Sequence, residues 1–157
     1  VSNAKELDPI KARLAEIKAR QDALAAKREE RLSKLAESEA VEAAALELAD
    51  NEAIEAAEAA HGPAYDGNET DSKRQIALVR TSLGVVIVKR ALPVVFKRYR
   101  ESKMTDADTE ALVKACLVHP DRQRLNAMVD EQPFILERSA NAIGILAGVR
   151  VKELAGK

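Results

Sequence analysis

Residues 85–100 read VVIVKRALPVVFKRYR, and the fold turns on how they are parsed. The branched apolar run Val85-Val86-Ile87-Val88, closed by Lys89-Arg90, has the make-up of a strand. Pro93 then marks a helix start, because its missing N–H and fixed φ suit a first helical turn. Val94, Val95, Phe96 and Tyr99 follow among Lys97, Arg98 and Arg100. A strand and a proline-started helix so close together imply a small mixed domain, which continues to Gly148.

Upstream, Gln75 to Thr81 reads as a second arm, joined through Ser82-Leu83-Gly84 to Val85–Arg90. Gly84 fits the left-handed position of a three-residue hairpin connection. Both arms are apolar on alternate positions, and part of the other face is apolar too. The hairpin is therefore expected to lie between helices and a partner, or to have one face half exposed. An isolated hairpin is marginal in water, so further strands or helical cover are required, and another subunit is one source of a strand.

Downstream, Thr105-Asp106-Ala107-Asp108 is a capping-box-like start with both aspartates on the positive end of the helix dipole. Leu112, Val113, Cys116 and Leu117 give that helix a buried face, and His119-Pro120 stops it. A short helix follows through Leu125, Met128 and Val129. After Pro133 the last helix carries a broad apolar face that includes Phe134, Ile135, Leu136, Ala140, Ile143, Leu146 and Ala147. Gly144 and Gly148 are expected to let another backbone approach.

The amino-terminal part is of another kind. Asp8-Pro9 offers an N-cap and first-turn proline for a helix without further Pro or any Gly to Ala60. Leu7, Ile10, Leu14, Ile17, Gln21 and Leu24 recur at alternating spacings of three and four, the seam of a left-handed coiled coil. Arg28 falls where the next apolar residue belongs. Leu32 and Leu35 resume beyond it, and Leu46, Ala49, Ala53 and Ala56 carry on thinly. One narrow stripe cannot bury itself, so it should pack on a second copy, another protein or its own chain. A homo-oligomer is the first expectation.

The stretch SEAVEAAALELADNEAIEAAEAA, residues 38–60, has high helix propensity and few anchors, which suggests a solvated acidic spacer. His61-Gly62-Pro63 ends the helix. The polar, turn-forming AYDGNETDS after it reads as a linker. The expected organisation is an arm over 1–61, a linker over 62–72 and a small α+β domain over 73–157. The fold class is mainly α, with a long coiled-coil-like helix, then a β-hairpin packed with three to four short helices.

Composition agrees with this division. The 157 residues include two Phe, two Tyr and no Trp, so the core must be small and aliphatic. The net charge of −1 hides two blocks: no Lys or Arg lies between Leu35 and Ser72, while Lys73 to Lys103 is basic and opposed only by Glu101. Such blocks steer association with charged partners. No secretory signal is apparent, and no apolar run approaches the ~20 residues that cross a bilayer, so a soluble, reducing compartment is expected.

Catalytic chemistry finds no foothold. The single cysteine, Cys116, reads as a buried small hydrophobe. Its one nearby base is His119. His61 and His119 lack the Cys or carboxylate spacing of a metal site, and neither a dinucleotide-binding glycine motif nor a phosphate loop is present. No enzyme activity, metal or cofactor is expected. Nucleic-acid binding is a rival reading, with Lys89, Arg90, Lys97, Arg98 and Arg100 on phosphates and Phe96 or Tyr99 on a base. The modest net charge of the domain and the helical spacing of Phe96 and Tyr99 favour packing instead.

The order VVIVKRALPVVFKRYRES followed by ALVKACLVHPDRQRLNAMVDEQPFILERSANAIGILAG resembles the small tail assembly chaperones of long-tailed bacteriophages and related prophages. The resemblance is carried by the basic strand before Pro93, the aromatic-basic helix, the break over Cys116 to Arg122, and a closing helix ending in Leu-Ala-Gly. It covers roughly residues 85 to 150 and leaves the long arm outside. It implies a non-enzymatic assembly factor in the host cytoplasm that holds the tape-measure protein until tube subunits surround it. A virion or scaffolding protein assembling through its coiled coil is the alternative. In either case Leu7, Ile10, Leu14, Ile17 and Leu24 are the expected partner seam, with Val86, Val88, Phe96 and Tyr99 on a second contact surface.

Overall fold

The computed structural model describes residues 2–67 and 73–148. The chain is mainly helical, with a long amino-terminal helix and one three-stranded antiparallel sheet. It divides into two compact units between Ala45 and Leu46. Helix α1 (Ser2–His61) gives its residues up to Ala45 to the first unit and the remainder to the second.

Among its described residues the first unit is helix alone. Ala, Leu, Glu, Lys and Arg, all strong helix formers, make up most of it. Every residue from Lys5 to Ala45 is exposed. Lys34 and Glu30, one turn apart and 3.1 Å from each other, add about 0.3–0.5 kcal/mol at most, being well solvated. The helix starts at Ser2, with Pro9 inside it rather than at its first turn. Pro9 removes only the N–H that would meet the Lys5 carbonyl, and Ala4 to Leu7 are good helix formers on their own account.

The second unit is built around the sheet. Strand β1 (Ile76–Thr81) pairs antiparallel with β2 (Gly84–Lys89), in a register running from Ile76 opposite Lys89 to Thr81 opposite Gly84. Gly84 has φ +127°, which an L side chain rarely adopts, and a Cβ there would stand 3.4 Å from the Asp50 carboxylate. The turn is further fixed by Thr81 Oγ1, which donates to the Gly84 carbonyl at 2.6 Å and accepts from Leu83 N–H at 3.1 Å.

Both faces of the hairpin are buried within this unit. Ala77, Val79, Val86 and Val88 form one core with α3 (Asp106–Cys116), α4 (Arg122–Glu131) and α5 (Phe134–Leu146). Ile76, Val85 and Ile87 form another with Ala57 of α1, flanked by Ala53 and Ile54. The near-continuous apolar run of β2 is therefore that of a strand covered on both sides. The cover expected from a partner comes from the end of α1, so residues expected as a solvated spacer are one wall of the unit. Ala53, Ile54 and Ala57 face the sheet, whereas Ala49 and Ala56 are exposed.

The third strand also comes from this chain. Helix α3 ends at Cys116, and Leu117–His119 leaves it as β3, pairing antiparallel with β2 across a bulge between Ile87 and Val88. On the free side of β1, Tyr65 donates its N–H to the Ile76 carbonyl and accepts from Leu78 N–H, both at 2.8 Å. This short parallel bridge covers the edge with a buried tyrosine from what the sequence presents as linker.

Helices α2 (Pro93–Glu101), α3 and α4 start where expected, but α3 stops at Cys116, ahead of His119-Pro120, because Leu117 is drawn into the sheet. Helix α2 begins at its proline. Thr105 and Asp108 exchange side-chain and backbone hydrogen bonds in a full capping box. Asp121 accepts from Arg124 N–H at 2.7 Å to start α4. Gly148 differs from expectation. It has φ +92° and, among the described residues, nothing within 4 Å of a would-be Cβ, so it serves the turn after α5 and no close backbone contact with them.

Candidate protein-binding surfaces

In the first unit the ridge is fully available. Leu7, Ile10, Leu14, Ile17 and Leu24 are 45–62% exposed. Leu32 and Leu35 add to it at 53% each. Covering the five amino-terminal side chains would release about 1 kcal/mol apiece, since each still has about half its surface to bury. The helix backbone satisfies its own hydrogen bonds, so affinity for another chain has to come from side chains, and this stripe is an apolar source of it.

The second unit has a groove of about 790 Å³ between α2, α3 and α5. Phe96, Tyr99, Met104, Phe134 and Leu136 supply its apolar walls, and Arg100, Asp106 and Glu137 its charged rim. The Phe96 and Tyr99 rings lie 6.4 Å apart at 33°. Tyr99 is fixed at its tip by a 3.3 Å hydrogen bond with Thr109 Oγ1. Met104 closes the turn between α2 and α3 at φ +52°, a left-handed conformation costing about 1–2 kcal/mol for a side chain of this kind. Ser102 supports that turn by accepting Met104 N–H at 3.1 Å.

The structure thus separates the residues that the sequence offered as a second contact surface. Phe96 and Tyr99 are half-buried and line the groove. Val86 and Val88 are wholly buried in the core with α3 and α5, and so present nothing to a partner. The cause is the double-sided cover of β2, which sequence periodicity left open.

Two functional readings meet specific geometry. Of the basic stretch, Arg90 is turned inward to donate to the Arg74 carbonyl at 3.0 Å, and Lys97 stands 3.9 Å from Glu101. The Cys116 thiol is buried, and burial pushes its pKa above the ordinary value while the Lys89 charge offsets only part of that. A thiol held protonated in this way is a poor nucleophile.

One arrangement escaped the sequence reading. Asp50, on α1, accepts Val85 N–H at 3.1 Å through Oδ2, and its Oδ1 lies 3.5 Å from His119 Nε2. The carboxylate joins α1, the first residues of β2 and the end of β3. The spacing of Leu46, Asp50, Ala53 and Ala57 along one helix face was the available signal. Arg124 adds a second tie by donating to the Leu83 carbonyl at 3.0 Å.

Among the described residues no helix is long and apolar enough to cross a membrane. Comparison with known proteins found no match to a family model, to a curated protein or to a solved structure.

Proposed function

We propose that this chain is a non-enzymatic phage assembly protein, a tail assembly chaperone that holds helices of the tape-measure protein in the host cytoplasm. The observation that carries the reading is the uncovered Leu7–Leu24 ridge on a helix with every residue from Lys5 to Ala45 exposed. A stripe of that kind gains its burial from another chain. The groove walled by Phe96, Tyr99 and Phe134 supplies a second apolar surface of the sort used to hold amphipathic segments. The resemblance over residues 85 to 150 gives the partner its class.

Co-expression with the tape-measure protein encoded in the same gene cluster tests this. A small soluble complex of the two chains, seen by light scattering and lost with Ile17→Asp, is the expected result. Large homopolymeric particles of this chain alone would favour the scaffolding alternative. An uncomplexed chain beside an aggregated tape-measure protein would overturn the reading.

A further inference from the structure

The charge bordering the ridge says what kind of helix it accepts. With Leu7, Leu14 and Gln21 along one line of the seam and Ile10, Ile17 and Leu24 along the other, heptad geometry puts Glu6, Arg13, Arg20 and Lys27 on one border. Lys11, Lys18 and Ala25 stand on the other. Five of these seven side chains are cationic. All five are exposed and none is in an ion pair with another described residue. Asp8, Glu16 and Asp22 sit a further step round the helix, away from the seam.

Self-pairing brings like charges together in both orientations. In a parallel, in-register pair Arg13 meets Lys18 of the second copy on each side, and Arg28 and Arg31 meet their own counterparts inside the seam. In the antiparallel pairing that sets Leu7 opposite Leu24, Lys11 meets Lys18 and Arg13 meets Arg20 of the second copy. Glu6 relieves only the end of either arrangement.

We infer that the ridge is a docking site for a different helix, one with a Leu/Ile-type seam bordered by Asp or Glu, and that it rejects a second copy of itself. This replaces the homo-oligomer expected from spacing alone, because spacing describes the seam and ignores its borders. The ridge from Leu7 to Leu24 is about 25 Å long, enough for between four and five turns of a partner helix. The inference concerns the chemistry of the partner and stands whether or not that partner is a tape-measure protein.

The test uses the full chain and two labelled four-heptad peptides with the same Leu/Ile seam, one bordered by Glu and the other by Lys. Anisotropy titrations at low salt should show the Glu peptide binding at least about tenfold more tightly, the sum of four border pairs of ordinary surface strength. That preference should shrink as salt rises. The charge-reversed chain K11E/R13E/K18E/R20E should prefer the Lys peptide, and Ile17→Asp should lose both, with helicity unchanged by circular dichroism. Equal affinities for the two peptides, binding of neither, or a homodimer tighter than the Glu-peptide complex would each overturn the inference. The peptide result and the co-expression result are independent, so either reading can fail alone.

Discussion

Ile17 and Ile87 are the same side chain in two regions of one molecule. Ile87 has no exposed surface and lies between β2's neighbours and the end of α1, whereas Ile17 is 45% exposed on the stretch of α1 from Lys5 to Ala45, every residue of which is exposed. In the second unit apolar residues are matched by two layers of helix on one sheet. In the first they are presented. The contrast teaches that one hydrophobic pattern can be enclosed or displayed: it gives cohesion in one region and, in the function proposed above, recognition in the other, and substitutions should separate the two.

The largest effect is expected at the sheet. Ile87→Ala should lower the stability of the second unit by about 3–4 kcal/mol, read as a fall in the urea midpoint, because a fully enclosed side chain leaves a cavity. A loss as small as that of a surface substitution would mean that α1 does not cover this face. Asp50→Ala comes next, at about 2 kcal/mol, since it strips Val85 N–H of its acceptor and His119 of its neighbour. Hydrogen exchange at Val85 should rise together with that loss.

Ser139→Ala runs the other way. Its hydroxyl is buried in α5 with no hydrogen-bond partner among the described residues, so removal should raise stability by about 1 kcal/mol. A decrease would show that the hydroxyl is satisfied. The smallest effect is expected at Ile17→Ala, within about 0.5 kcal/mol by the same urea measurement, with partner-peptide affinity falling instead. A loss of stability comparable to that of Ile87→Ala would abolish the distinction between the two regions.

The elements that could be read from sequence are those whose signals are local. Pro93, the Thr105–Asp108 box and Gly84 each act through their own backbone, so the helix starts and the hairpin turn were visible from a few residues. What stayed hidden depends on distant partners. Ala53, Ile54 and Ala57 are too weakly apolar to announce a buried face, and only the sheet beneath them makes it one. Leu117-Val118-His119 follows a helix without a break in composition, and only pairing with β2 turns it into strand. Tyr65 lies in a polar turn whose place at the β1 edge no periodicity encodes. For the candidate binding surfaces, the seam was legible because exposure leaves its spacing intact. The groove was not, since Phe96, Met104 and Phe134 come from three separate segments.

The contribution of α1 to the sheet also determines where this chain tolerates being cut. A fragment beginning after His61, at the natural-looking glycine and proline, would uncover Ile76, Val85 and Ile87 and lose the Asp50 carboxylate, leaving a sticky sheet. A fragment that retains Leu46 onward keeps that wall. The boundary that matters for making the small domain in isolation therefore lies inside the helix, where nothing in its local sequence interrupts it.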